Sequence, residues 1–88
     1  MTFMLCRNRV KDFDQWKPIF DSYAEAHQKS GLNLVNMWRS IEDPNIIFLM
    51  FKVARADKAL EFINSPESAK AGEISGVIDG ECHFIEKI

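Results

Sequence analysis

The stretch NIIFLMFKV, Asn45 to Val53, places the tightest bound on what this chain can fold into. Side chains alternate between the two faces of a strand. Here Ile46, Phe48 and Met50 fall on one parity, and Ile47, Leu49, Phe51 and Val53 on the other. A strand apolar on both faces has to be covered on both. In a chain of 88 residues, its own helices can supply one layer. A domain of this size buries only roughly 60% of its unfolded surface, so a partner subunit is the natural second layer.

The rest of the chain divides around that strand as a single domain over residues 1–88. FMLCRNRV, Phe3 to Val10, reads as the first strand. Asp12 then offers a helix cap, with Gln15 three places later as in a capping box. Pro18 removes the bond to the Asp14 carbonyl, which predicts a kink or fresh start there. On the following helix Phe13, Trp16, Phe20, Tyr23, Ala24 and His27 form one apolar stripe. Gly31 is placed to end it. LNLVNMWRSI, Leu32 to Ile41, is the second strand, with Leu34 and Trp38 expected on one face and Val35, Met37 and Ile41 on the other. EDPN makes a turn. ADKALEFI, Ala56 to Ile63, is a helix. A second short helix starts at Ser65 and Pro66 and runs to about Gly72. GECHFIEKI, Gly80 to Ile88, is the last strand.

The order β-α-β-β-α-β is the split ferredoxin-like pattern, an α+β fold with helices on one face of a four-stranded antiparallel sheet. The other face is apolar and without an intrachain cover, which marks an interface. The expectation is a homodimer joined through its sheet faces.

Charge and motifs narrow the function classes. Net charge is −2, which disfavours nucleic acid and anionic membrane surfaces as partners. IIFLMF is too short to span a bilayer. MTFMLCRN lacks the apolar core of a signal peptide, so the expected location is cytoplasmic. Cys6 and Cys82 belong to no metal-spaced cluster and read as two small apolar core thiols. No phosphate-binding glycine loop, paired-His motif or GxSxG occurs, so neither cofactor nor metal is expected. The RNA-recognition domain shares the element order, but IIFLMFKV lacks its basic-Gly-aromatic pattern.

VKDFDQWKPIFD, the Gly31-Leu32 joint, SIEDPNIIFLMFKV and ADKALEFINSPE together resemble the dimeric α+β barrel superfamily over nearly the whole chain. Within it they look like the small proteins described as antibiotic-biosynthesis-monooxygenase-like or cyclase-like. The resemblance implies a homodimer whose sheets form a barrel, with a cavity between sheet and helices in each subunit. Relatives include cofactor-free oxygenases of polycyclic aromatics, haem-degrading enzymes, lactone isomerases and stress-response proteins. Haem-degrading relatives pair an Asn on the first strand with a Trp and a His in the second half of the domain. Asn8 matches the first. No Trp follows Trp38, and His83 lies on a strand, so haem degradation is disfavoured.

His27 is the candidate catalytic residue, a group that titrates near neutral pH and can act as a general base. Its alternative reading is structural, one turn from a helix C-terminus where histidine is favoured. Tyr23 and Trp38 are candidates to bind a flat ring, or else are plain core. Asn8, an amide in an apolar strand, either orients a ligand carbonyl or satisfies its neighbours, as does Asn36. Arg7, Arg9 and Arg39 read as cross-sheet ion-pair partners rather than anchors for a carboxylate. His83 falls on the parity opposite Cys82 and Phe84. Two functions fit: a cofactor-free oxygenase or isomerase of a small aromatic or polyketide-like molecule, and a non-catalytic dimeric binding or stress-response module.

Overall fold

In the computed structural model, which describes Met1–Ile88, the chain runs β1 (Thr2–Val10), α1 (Phe13–Ser22), α2 (Ala24–Lys29), β2 (Leu32–Arg39), β3 (Ile46–Val53), α3 (Ala56–Ile63), α4 (Pro66–Ser75) and β4 (Val77–Glu86). The four strands form one antiparallel sheet in the order β2-β3-β1-β4. This is the ferredoxin-like α+β arrangement, with each helical connection made of two consecutive helices.

Local chemistry explains where the helices start and stop. Asp12 caps α1 by accepting the Asp14 backbone N–H at 3.0 Å. Gln15 gives only its backbone N–H, to the Asp12 carbonyl, so no reciprocal capping box forms. Pro18 sits inside α1 rather than ending it. The bond it forfeits would have ended on Asp14, in the first turn, so the helix loses one rung near its start and continues. The break falls five residues later, at Tyr23. There the Ser22 hydroxyl donates to the Ile19 carbonyl at 2.6 Å, and the Tyr23 N–H turns to Phe20 at 3.0 Å. Gly31 follows α2 with φ 75°, and a Cβ there would lie 3.2 Å from the Arg55 backbone nitrogen. Only glycine suits both demands. Ser65 caps α4 through the Ser68 N–H, and that helix runs to Ser75, three residues beyond Gly72.

The core lies between helices and sheet. Met4, Cys6, Ile47, Leu49 and Phe51 point up from the two central strands, and Trp16 and Ala59 come down on them. Trp16 is only 2% exposed. The opposite sheet face carries Phe3, Leu5, Phe48 and Met50 with no helix over it. A charged corner adjoins them, where Arg7 pairs with Glu81 at 3.1 Å and Arg9 with Asp79 at 2.7 Å across β1 and β4. Those two arginines are the ion-pair partners expected. Arg39 is not: its guanidinium stacks 4.7 Å from the Phe13 ring centroid.

Two features depart from the expected pattern. In β2 the register to β3 shifts between Leu34 and Asn36. Val35 is the extra residue of a bulge, and one extra residue exchanges the faces of everything beyond it. Leu34, opposite Phe51, therefore lies on the helix side, while Trp38, opposite Phe48, lies on the bare side. The second departure concerns the cysteines. Cys6 and Cys82 are direct partners across β1 and β4, with Cα atoms 4.1 Å apart, and their sulfurs are joined as a disulfide. They are not the separate core thiols expected.

Candidate functional site

A cavity of about 450 Å³ opens between the helical layer and the sheet. Its floor comes from β1 and β3 through Met4, Asn8, Leu49 and Phe51. Its roof comes from α1, α2 and α3 through Phe20, Tyr23, His27 and Phe62. Cys6, Cys82 and Gly80 close one side. Fourteen of its 22 lining residues are hydrophobic, which suits an apolar ligand held by a few polar groups.

His27 is delivered to this space by the α1–α2 break. The turn at Tyr23 lets α2 start afresh with Tyr23 and His27 still on the cavity side, while Ala24 of the stripe is left exposed. Three phenylalanines surround the imidazole: Phe20 at 5.1 Å, with Phe51 and Phe62 both at 5.5 Å and edge-on. Burial among them pushes its pKa below the ordinary 6.5. The ring is therefore neutral at physiological pH, with one nitrogen free to accept a proton.

Asn8 and Tyr23 add two more polar groups of the same kind on the His27 side, and the Asn64 and Ser68 side chains line the cavity unbonded as well. No protein hydrogen bond reaches the His27 ring, the Tyr23 hydroxyl or the Asn8 amide, since the side-chain bonds run elsewhere. No fully buried side-chain nitrogen or oxygen lacks a partner, so all three groups keep an accessible face. A donor or acceptor left unpaired in an apolar cavity is available to a ligand.

Of the four residues singled out in the sequence, the fold thus brings together Asn8, Tyr23 and His27. Trp38 is not with them. The Val35 bulge turns it to the bare sheet face, 46% exposed. Asn36 lies on that face too, opposite Met50. His83 also lies there, bonded to Glu81 at 2.8 Å. Hydrogen bonds from His83 and then Arg7 hold the exposed Glu81 carboxyl below the usual carboxylate range. No group of three or more His, Cys, Asp or Glu side chains is gathered closely enough to hold a metal ion.

Sequence reasoning missed Gly80 as a site residue. It stands mid-strand, paired with Asn8, and not at the strand's start. A Cβ at this position would collide with Asn8 Oδ1 and lie 3.0 Å from the Arg7 carbonyl oxygen. A glycine in a strand is itself the signal for such a close approach.

The class defined by this arrangement is the ferredoxin-like α+β fold shared with the antibiotic biosynthesis monooxygenases. No family model matches the chain, and no curated protein matches it by sequence. Solved structures do match. One is a Bordetella bronchiseptica protein provisionally described as an antibiotic biosynthesis monooxygenase, with TM-score 0.77 and 15% identity over 99% of this chain and 96% of that one. SnoaB, a cofactor-independent oxygenase from Streptomyces nogalater crystallised as a point mutant, gives TM-score 0.74 at 11% identity over 98% and 91%. A conserved protein from Methanosarcina mazei Go1 gives 0.73 at 15% over 99% and 92%. At such identities the likeness establishes the fold. No helix is long and apolar enough to cross a membrane.

Proposed function

We propose that the chain is a homodimeric, cofactor-independent oxygenase of a small aromatic molecule, with His27 as its base. The observation that carries this reading is the trio of Asn8, Tyr23 and His27, polar groups without protein partners in a largely apolar cavity. A planar ring fits against Phe20, Phe51 and Phe62, and a phenol hydroxyl meets the His27 ring. The neutral imidazole takes the phenol proton, which leaves an electron-rich phenolate with carbanion character at a ring carbon. That carbon gives its electrons to dioxygen and forms a C–O bond. Loss of the ring C–H proton with cleavage of the O–O bond yields a quinone and water. One phenol and one dioxygen are consumed, and no outside reductant is required. The amide of Asn8 and the hydroxyl of Tyr23 orient the oxygens of the ring and stabilise charge on them. SnoaB, of the same fold, is described as a cofactor-independent oxygenase, which supports the reaction class.

A second reading has its own support. Phenylalanines on three sides of His27 are also the surroundings of a core residue, which fits a non-catalytic dimeric binding module. Oxygen uptake with a panel of hydroxylated anthrones and naphthols separates the two. Turnover by the wild type, abolished in His27→Ala while the oligomer stays folded, is the result expected of the oxygenase. Turnover that survives the substitution removes His27 as the base. Ligand binding without any oxygen uptake selects the binding module.

A further inference from the structure

The oxygenase reading makes no use of the disulfide in the cavity wall, which has a distinctive setting. Its two cysteine residues differ in exposure. Cys6 lies on a central strand and is 3% exposed, whereas Cys82 lies on the edge strand β4 and is exposed. Both residues line the cavity on the helix side of the sheet, away from the bare face. β4 has a single neighbour, β1, and every residue from Ile78 to Glu86 is exposed. The bridge therefore adds a covalent tie to an edge strand held otherwise by its pairing with β1 and the Arg7–Glu81 and Arg9–Asp79 ion pairs, one rung pair from Asn8 and Gly80.

We propose that Cys6–Cys82 is a thiol–disulfide exchange site whose substrate is a small external thiol, with Cys82 as the attacked sulfur and Cys6 as the leaving one. An external thiolate enters from the exposed side and bonds to Cys82 Sγ. The S–S bond breaks, and its electron pair departs on Cys6 Sγ, which takes up a proton. A second external thiolate attacks its own partner in the mixed disulfide and releases Cys82 as a thiolate, which is then protonated. Two thiols become one external disulfide, and the protein gains two electrons and two protons. Reduction frees the edge of β4 beside the cavity. The proposal is independent of the oxygenase reading, since no readout below requires turnover.

The test equilibrates the purified protein with glutathione at graded ratios of reduced to oxidised form, traps it with N-ethylmaleimide and weighs it by mass spectrometry. The expected result is a reversible passage from the bridged form, with no trapped thiol, to the dithiol form with two. Cys6→Ser should take one glutathione on Cys82 in the native state. Cys82→Ser should leave native Cys6 unmodified until the chain is unfolded. Reduction should speed amide exchange in Val77–Glu86 by about tenfold or more, leaving Ile46–Val53 unchanged, and lower Tm by about 10 °C or more. Two free thiols after air oxidation would overturn the proposal. So would a bridge that stays closed at every glutathione ratio, equal labelling of the two single variants, or β4 exchange indifferent to reduction.

Discussion

The side-chain amide of Asn8 lies across Gly80, its direct partner on β4, and occupies the space that any other residue's Cβ would need. The amide thereby stays beside the cavity and free of protein hydrogen bonds. Floor and side wall of the candidate site thus depend on one glycine in an edge strand.

Replacing Gly80 with Ala should displace the Asn8 amide, since the Arg7 carbonyl blocks the other direction. Overpacking of this kind costs about 1–3 kcal/mol. Asn8→Ala removes the same amide without the clash. Urea denaturation should find Gly80→Ala destabilised and Asn8→Ala close to the wild type. Titration with an aromatic ligand should find both weakened in binding.

His27 predicts a pH dependence of stability. Its folded pKa lies below the ordinary 6.5 because burial disfavours the charged ring. Between the two values the unfolded chain binds the proton more readily, so stability falls as pH drops below 6.5. The contribution is fully present above that pH. His27→Phe keeps an aromatic ring in the phenylalanine cluster and cannot titrate. The wild-type-minus-variant difference in unfolding free energy, measured by denaturant melts from pH 8 to 5, should be flat above 6.5 and decline below it. A difference flat throughout would contradict the burial of the ring.

The two tryptophans make opposite predictions. Trp16 is 2% exposed and stacks on Phe20 at 4.7 Å between ring centroids. Trp16→Ala should cost about 3–5 kcal/mol, as large-to-small changes in a core do. Trp38 lies on the bare sheet face, so Trp38→Ala should leave the fold of one subunit nearly unchanged. Thermal melts at low protein concentration check both, and a large loss from Trp38→Ala would place it in a packed core instead.

What the sequence makes legible is what repeats along it. Strand alternation in Asn45 to Val53 and the stripe from Phe13 to His27 locate the sheet, the helical layer and two of the four candidate site residues, Tyr23 and His27, while Asn8 is placed by the first strand. Trp38 was misplaced because a bulge is a matter of register, and nothing in LNLVNMWRSI marks Val35 as the extra residue. The disulfide is hidden for the same reason. Cys6 and Cys82 stand 76 positions apart, and they meet only because β1 and β4 align in one of several registers open to them. The break at Tyr23 was hidden by a stronger signal nearby, Pro18, whose cost is small at the place where it falls.

The bare sheet face predicts the state of assembly. Phe3, Leu5, Phe48, Met50 and Trp38 form an apolar field with no helix over it, beside a charged corner of Arg7, Arg9, Asp79 and Glu81. A field of this composition is unfavourable in water and is covered best by a second copy, with the two sheets about 10 Å apart. Native mass spectrometry should then show a species at twice the 10.2 kDa chain mass. Met50, between Leu5 and Asn36, sits at the centre of the field, half-buried within the subunit, whereas Phe48 is opposite Arg7 at its border. Met50→Glu would place a carboxylate in the contact between copies, with Leu5 and Asn36 rather than a cation as its cross-strand partners, and an unpaired charge there costs several kcal/mol. The variant should run as a folded monomer in sedimentation velocity, with the far-ultraviolet circular dichroism of the wild type. A wild-type monomer, or a Met50→Glu dimer, would mean that the bare face is not where the copies meet.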